Sequence, residues 1–103
     1  MYKLIFFVPD SHVELVKEAI FQVGGGNIDN YSHCAWQVLG IGQFKPLAGS
    51  DPYSGTIDEI KTVPEWRVEL VVKTELIQEA VNAMKQAHPY EVPAYDVIKV
   101  EAF

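Results

Sequence analysis

The sequence predicts an α+β fold, because strand-like apolar runs alternate with two amphipathic helical patterns that end at glycine or proline. The chain has 103 residues, a length typical of one domain, and 49% of them are hydrophobic. We therefore expect a single domain over residues 1–103 with the order β-α-β-loop-β-α-β. This order matches the split β-α-β units of a ferredoxin-like sandwich, in which two helices cover one face of an antiparallel sheet.

The first half begins with a strand from Tyr2 to Val8, which is apolar on both faces and is therefore placed centrally in the sheet. Ser11-His12-Val13-Glu14 matches a capping box, whose serine and glutamate side chains satisfy free amides at a helix start. Gly24-Gly25-Gly26 is expected to end that helix through a positive φ. A second strand is expected from about Tyr31 to Leu39.

A long segment from Gly40 to about Val63 is rich in glycine and proline and has no clear periodicity. Part of it, from about Thr56 to Thr62, could form a short additional strand. Loops of this length in a compact domain usually carry function or contribute to an interface. The segment is therefore a candidate for ligand binding.

The second half returns to regular patterns. Glu65 to Lys73 alternates as a strand, and Thr74 is expected to cap the second helix. His88-Pro89-Tyr90-Glu91-Val92-Pro93 ends that helix at about Ala87, because each proline fixes its own φ and restricts the residue before it. The last strand is expected from Tyr95 to Val100.

Composition narrows the classes of partner. Fourteen acidic residues against eight basic ones give a net charge of −6, which argues against a nucleic-acid partner. The single cysteine, Cys34, cannot form an internal disulfide, and we expect it to be a buried structural thiol in the second strand. The apolar run Leu4 to Val8 is too short for a signal peptide or a membrane span. We expect a cytoplasmic protein without a membrane partner.

His88 and Glu91 are the candidate metal ligands, because they stand three residues apart in one turn. They could hold a divalent metal ion or orient a substrate, and His33 of another subunit could join them. The alternative is that His88 caps the negative end of the second helix while Glu91 is solvated. Three histidines and one cysteine without CxxC or HxxxH spacing disfavour a dedicated zinc site. We assign no catalytic residue.

A ligand cleft between subunits is predicted, formed by the Gly40 to Val63 loop and the His88 to Pro93 turn. Its candidate residues are three aromatic side chains and one arginine: Tyr90, Trp36, Phe44 and Arg67. Aromatic residues are also common as core or interface anchors. Arg67 stands between Glu65 and Glu69, so it could instead form cross-strand ion pairs with them.

Several motifs carry a resemblance to a known family over essentially the whole chain. Val8-Pro9-Asp10-Ser11-His12, Cys34-Ala35-Trp36, Glu65-Trp66-Arg67-Val68-Glu69 and the His88 to Asp96 segment resemble the short members of the Nif-three-like family. Those members consist of a CutA/PII-like domain, which longer relatives carry as an insert between metal-binding halves. The His88 to Pro93 motif is also similar to that of CutA-like divalent-cation-tolerance proteins, from which the chain departs at Ala94-Tyr95.

The resemblance implies a homotrimer whose sheets face inward around a three-fold axis, with ligands bound in intersubunit clefts. Ile5, Phe7 and Val71 independently predict an apolar uncovered sheet face. We therefore expect a non-enzymatic binding or regulatory module for a small molecule or a protein partner. One alternative is a divalent-metal-binding protein. Another is a small metal-dependent hydrolase by analogy with the longer relatives, for which the sequence shows no ligand set.

Overall fold

The computed structural model describes all residues, Met1–Phe103. Its elements follow in chain order: β1 (Tyr2–Pro9), α1 (Val13–Gln22), β2 (Trp36–Phe44), β3 (Lys61–Val72), a 3₁₀ turn (Thr74–Leu76), α2 (Ile77–Ala87) and β4 (Tyr95–Lys99). The strands form one antiparallel sheet in the order β2-β3-β1-β4. The predicted ferredoxin-like topology is confirmed, with β1 in the centre of the sheet.

The core lies between the two helices and one face of the sheet, because alternate residues of β1 and β3 point toward the helices. In the register of these strands, Leu4 is opposite Leu70 and Phe6 is opposite Val68. The buried apolar cluster comes from β1, β3 and both helices: Leu4, Phe6, Val8, Val13, Val16, Ile20, Val68, Leu70, Val72, Ala80, Val81 and Met84. Burial of each large apolar side chain contributes about 1.5–3 kcal/mol, so this cluster stabilises the fold.

The opposite face of the sheet, which we call the open face, carries no helix. Ile5 of β1 lies opposite Glu69, Phe7 lies opposite Arg67, and Val71 lies opposite Lys3. The face is therefore partly apolar and partly charged, and it contains the three apolar residues that the sequence predicts there. Ile5 is only 4% exposed within one subunit.

Both predicted side-chain caps are wrong. The Ser11 hydroxyl is hydrogen-bonded to Nδ1 of His12 at 2.8 Å, and α1 begins at Val13 without a side-chain cap. A turn, in which the backbone N–H of His12 donates to the Pro9 carbonyl, places Ser11 one residue too early for capping. Thr74 Oγ1 accepts a hydrogen bond from the amino group of Met1 at 2.8 Å, and its side chain caps no helix.

The second strand begins later than predicted, at Trp36 instead of Tyr31. His33 takes a φ of 58°, which interrupts an extended chain. The residues before Trp36 form an irregular connection in which the backbone N–H of Cys34 donates to the Gly26 carbonyl. Cys34 is half-buried in that connection, so the prediction of a buried thiol within a strand is also wrong.

The predicted long loop is shorter than expected, because both of its ends belong to strands. β2 and β3 pair from Trp36 opposite Glu69 to Phe44 opposite Lys61. Only residues 45–60, which we call the 45–60 loop, are irregular, and no strand forms from 56 to 60. The loop folds back on itself, since the backbone N–H of Asp58 donates to the Pro46 carbonyl at 2.7 Å.

The predicted helix ends are confirmed. Gly24 and Gly26 after α1 take φ values of 98° and 77°, in the left-handed region that glycine tolerates. Helix α2 ends at Ala87, and His88 is extended with φ −75° and ψ 137°. Neither helix has the length and apolar character that a membrane crossing requires.

Candidate functional site

His88 begins the 88–94 turn that joins α2 to β4, and its ring is buried, with 6% exposed. Its Nε2 donates to the Phe7 carbonyl of β1 at 2.6 Å, and its Nδ1 accepts from the backbone N–H of Tyr90 at 3.1 Å. Because Nδ1 accepts, the ring proton is on Nε2 and the imidazole is neutral. Burial lowers the pKa of His88 below its ordinary value, although the Phe7 carbonyl and Glu65 oppose this shift. The ring therefore ties the end of α2 to the central strand.

The alternative prediction, that His88 caps α2, gives the correct position of the residue at the helix end. It gives the wrong charge, because the imidazole is neutral. The backbone N–H of His88 donates to the Met84 carbonyl, so the residue closes α2. The imidazole itself is neutral and bonds across to β1, so it does not serve as a cation at the helix dipole. His88 contributes to stability through hydrogen bonds that span the fold.

The three predicted metal ligands do not meet within one subunit. Both ring nitrogens of His88 are engaged, and the Glu91 carboxylate accepts a hydrogen bond from the backbone N–H of Asp51 at 3.1 Å. His33 packs against Phe21 with ring centroids 4.6 Å apart. The subunit contains no group of three or more histidine, cysteine, aspartate or glutamate side chains that could hold a metal ion. A divalent metal shared between subunits stays a prediction.

The 45–60 loop and the 88–94 turn lie together around one cavity of about 430 Å³, which we call the aromatic cavity. The hydrogen bond from the Asp51 backbone to Glu91 joins the loop to the turn at its edge. The residues that matter for its chemistry come from β2, the loop, β3 and the turn: Phe44, Lys45, Tyr53, Glu65, Tyr90 and Glu91. All these elements belong to the same subunit.

Three aromatic rings line the cavity. The Tyr90 ring is central, with its centroid 6.4 Å from that of Phe44 and 6.1 Å from that of Tyr53. The planes are tilted by 46° and 48°, so the rings are inclined to one another and do not stack. The His88 ring supports Tyr90 from behind at 4.8 Å, and Tyr53 is 55% exposed. The aromatic surface is therefore anchored at Tyr90 and accessible at Tyr53.

Two polar groups in the cavity lack firm partners. The Tyr90 hydroxyl oxygen is buried and makes no hydrogen bond within normal geometry. Burial, with a further contribution from the neighbouring Glu65 carboxylate, raises the pKa of Tyr90, so the hydroxyl stays protonated and can donate. Glu65 takes part in none of the subunit's ion pairs. The site thus places a buried hydroxyl beside a carboxylate that has no cation.

Arg67 and Trp36, the other two cleft candidates, lie outside the aromatic cavity. Arg67 donates to Glu69 from Nε at 2.9 Å and Nη2 at 2.8 Å, so the predicted ion pair forms with Glu69 but not with Glu65. Arg67 also lines a second cavity of about 290 Å³ on the open face, which Glu65 shares. Trp36 is 59% exposed near the start of β2 and lines neither cavity.

Two residues of the site, Tyr53 and Gly42, were not singled out from the sequence. The sequence also did not indicate that Glu65 lies in this cavity. A Cβ atom at Gly42 would overlap the Glu65 carboxylate, so this glycine makes room for that side chain. The i, i+2 spacing of Gly40 and Gly42 is a signal for such a bare strand face. Tyr53 lies in a turn-rich loop without periodicity, and no comparable signal marks it.

Sequence comparison identifies relatives that are much longer than this chain. No protein-family model matches the chain. It is 45% identical over 95 residues to a GTP cyclohydrolase 1 type 2 homolog of Mycobacterium leprae, a match covering 92% of the chain and 25% of that relative. It is 43% identical over 99 residues to the Bacillus subtilis protein of the same name, covering 96% of the chain and 26% of the relative. The chain spans about a quarter of these relatives.

Solved structures agree with this relationship. A Bacillus cereus protein related to NIF3 superposes with a TM-score of 0.85 at 37% identity, covering 98% of this chain and 26% of that one. CutA of Xylella fastidiosa superposes with a TM-score of 0.70 at 16% identity, covering 99% and 85%. CutA1 of Pyrococcus horikoshii gives 0.72 at 20% identity, covering 100% and 86%. The CutA likeness shows the fold alone. Together these findings confirm the predicted similarity to Nif-three-like proteins and the CutA/PII-like fold.

Proposed function

We propose that the chain is a non-enzymatic binding module that takes a small organic ligand in the aromatic cavity. The observation that carries the proposal is the cavity of about 430 Å³ with three aromatic rings and an unpaired, buried Tyr90 hydroxyl. Small-molecule sites are typically cavities of roughly 300–1,000 Å³ with apolar walls and few polar groups. A buried hydroxyl without a partner costs about 1–3 kcal/mol, which a polar group of a ligand would recover.

The 45–60 loop supports a regulatory use of this cavity, because its hold on the 88–94 turn is slight. The single side-chain hydrogen bond between the two segments runs from the Asp51 backbone to Glu91, and both residues are exposed. A ligand between Tyr53 and Tyr90 would add contacts to both segments. Ligand binding would therefore make the loop more ordered. A protein partner that contacts this loop would then bind the ligand-bound form differently from the free form.

Amide NMR spectra recorded during addition of a mixed set of neutral, cationic and anionic aromatic fragments would test the proposal. We expect at least one fragment to cause saturable shifts centred on Phe44, Tyr53 and Tyr90. Val38 and Arg67 in the second cavity serve as the internal control. If no fragment gives saturable shifts in the aromatic cavity, the proposed function is wrong.

The metal and hydrolase alternatives depend on a ligand set between subunits. Elemental analysis after dialysis against a chelator, and again after addition of a divalent metal, tests both. Stoichiometric metal that is lost in Glu91→Gln and His33→Ala would favour the metal-binding alternative. The cyclohydrolase name belongs to relatives of which this chain matches about a quarter, so that activity is not part of the proposal.

We also infer that the module assembles as a homotrimer through its open face. Trp36, Val38 and Ile98 lie on this face by strand register and are 59%, 43% and 50% exposed. Exposed apolar groups at both edges of an uncovered sheet face favour an interface there, and the CutA-like fold supports a trimeric arrangement. Trp36 is then an interface anchor. The cytoplasmic location stays a prediction, with which the single half-buried Cys34 is compatible.

Light scattering at micromolar concentration tests the assembly, with the 11.6 kDa subunit as reference. We expect a species three times the subunit mass, and a smaller species after Trp36→Ser. Leu15→Ser on α1, which is 63% exposed on the opposite side of the sheet, is the matched control and should leave the mass unchanged. A folded wild-type monomer would contradict the inferred trimer.

A further inference from the structure

The charged groups around the aromatic cavity are mainly negative. Its lining contains two carboxylates, Glu65 and Glu91, and one ammonium group, that of the exposed Lys45. Glu91 already accepts a hydrogen bond from the backbone of Asp51. Glu65 forms none of the subunit's ion pairs. A partly buried carboxylate that lacks a cation is therefore available beside the Tyr90 ring.

The strands around Glu65 supply neither a cation nor a side-chain donor. In the sheet register, Glu65 lies between Pro9 of β1 and Gly40 of β2. The carboxylate lies over Gly42, where a Cβ atom would overlap it. Arg67, the nearest basic residue along the same strand face, is paired with Glu69. The local structure thus makes space for the Glu65 carboxylate without neutralising it.

The faces of aromatic rings carry negative charge and attract cations, most strongly where water is partly excluded. The rings of Phe44, Tyr53 and Tyr90 line the same cavity as the Glu65 carboxylate. An anionic ligand would have to lie against this carboxylate and would be repelled. A protonated amine would find a hydrogen-bond acceptor, an opposite charge and aromatic faces together.

We propose that the aromatic cavity selects a small organic cation, a protonated primary amine whose ammonium group binds the Glu65 carboxylate and whose apolar body packs on Phe44, Tyr53 and Tyr90. This inference rests on the proposed function, since it specifies the ligand class for the same cavity. The Tyr90 hydroxyl lies beside the carboxylate and completes the polar end of the site. The net charge of −6 also attracts cationic ligands to the subunit.

Benzylammonium, benzyl alcohol and benzoate test this charge preference, because they share one ring and differ in the charge at its substituent. Each is titrated into the full chain at neutral pH while the amide signals of the cavity residues are followed. We expect benzylammonium to bind at least about tenfold more tightly than benzyl alcohol, as charge-assisted hydrogen bonds are roughly twice as strong as neutral ones. Benzoate should bind most weakly.

Two variants test whether the preference for benzylammonium over benzyl alcohol depends on the Glu65 carboxylate. Glu65→Gln should make benzylammonium and benzyl alcohol bind with similar affinity, while the binding of benzyl alcohol itself changes little. Gly42→Ala keeps the charge but displaces the carboxylate, and should also reduce the preference. Glu79→Gln, an exposed change in the first turn of α2, is the matched control and should bind as the wild type does.

The outcomes separate this inference from the proposed function. If benzyl alcohol or benzoate binds the same residues as tightly as benzylammonium, the cation preference is wrong and the small-molecule site stands. If none of the three probes causes saturable shifts in the cavity, the cation preference is contradicted, and the mixed fragment set decides separately whether the small-molecule site stands. A preference for benzylammonium that survives both Glu65→Gln and Gly42→Ala would assign the selectivity to another group and overturn the role of Glu65.

Discussion

Glu65 and Trp66 are neighbours on β3, yet they face opposite sides of the sheet and have opposite environments. Trp66 packs against the core, and its Nε1 donates to Asp10 at 2.8 Å. Glu65 lies in the aromatic cavity beside the buried Tyr90 hydroxyl and has no cation. The polar group of Trp66 thus has a partner within the fold, whereas the carboxylate of Glu65 in the aromatic cavity has no cation. Stability and recognition are carried by different sides of one sheet.

The largest expected effect comes from comparing a phenylalanine on each side. Phe6 is 0% exposed in the core, and Phe6→Ala should lower the free energy of unfolding by about 3–5 kcal/mol. Phe44 in the aromatic cavity is half-buried, and Phe44→Ala should cost about 1 kcal/mol or less. Chemical denaturation measures both. Similar losses for the two variants would show that the cavity walls belong to the core.

His88→Ala sharpens the comparison, because His88 joins the core to the 88–94 turn. The change leaves the Phe7 carbonyl and the Tyr90 N–H without partners, and should cost about 2–3 kcal/mol at about pH 8. The folded state lowers the pKa of His88 below its ordinary value of 6.5, so the unfolded chain binds the proton first as pH falls. The contribution of neutral His88 to the free energy of unfolding is therefore complete above about pH 6.5 and decreases as the pH falls below it.

The loss caused by His88→Ala should accordingly be smaller at about pH 5.5 than at about pH 8. Denaturation midpoints of wild type and variant at both values measure the difference. A histidine that acted as a charged cap would show the reverse, with the larger loss at low pH. That result would contradict the neutral, hydrogen-bonded ring described above.

Gly42→Ala should alter the position of the Glu65 carboxylate in the aromatic cavity but have little effect on the stability of the fold. The added Cβ displaces the flexible end of Glu65, while the replacement of a strand glycine is favourable by about 0.5–1 kcal/mol. We expect an unfolding free energy that is unchanged or slightly higher, together with shifted NMR signals for Tyr90. A clear loss of stability would mean that the position of the Glu65 carboxylate is part of the fold.

Ser11→Ala should have the smallest effect. A serine that capped α1 would be worth about 1 kcal/mol, but the Ser11 hydroxyl bonds to the His12 ring instead of a helix amide. We therefore expect a change below about 0.5 kcal/mol, typical of an exposed substitution. A full loss of about 1 kcal/mol in chemical denaturation would restore the capping box.

The sequence predicted the helix-covered side well, because its periodicity is local. Val13, Val16 and Ile20 recur at helical spacing and are all buried in α1. The start of β2 was missed because the residues around Cys34 alternate like a strand, while His33 adopts a left-handed conformation that sequence periodicity does not indicate.

The site was predicted only in part, because its chemistry depends on contacts between distant segments. The turn and the loop were expected to share a site between subunits, and they line one cavity within a single subunit. The hydrogen bond from His88 to the Phe7 carbonyl spans 81 positions and has no sequence signal. The environment of Glu65 depends on the β2–β3 register, which places Gly40 opposite it and Gly42 beneath it.

The separation of binding from folding is tested most directly by thermal unfolding of the wild type and of the double variant Phe44→Ala/Tyr53→Ala, each with and without saturating benzylammonium. A ligand that binds only the folded state raises the unfolding temperature by mass action. We predict that the ligand-free proteins unfold at similar temperatures and that benzylammonium stabilises only the wild type. Equal stabilisation of both proteins, or a double variant that no longer folds, would contradict the account.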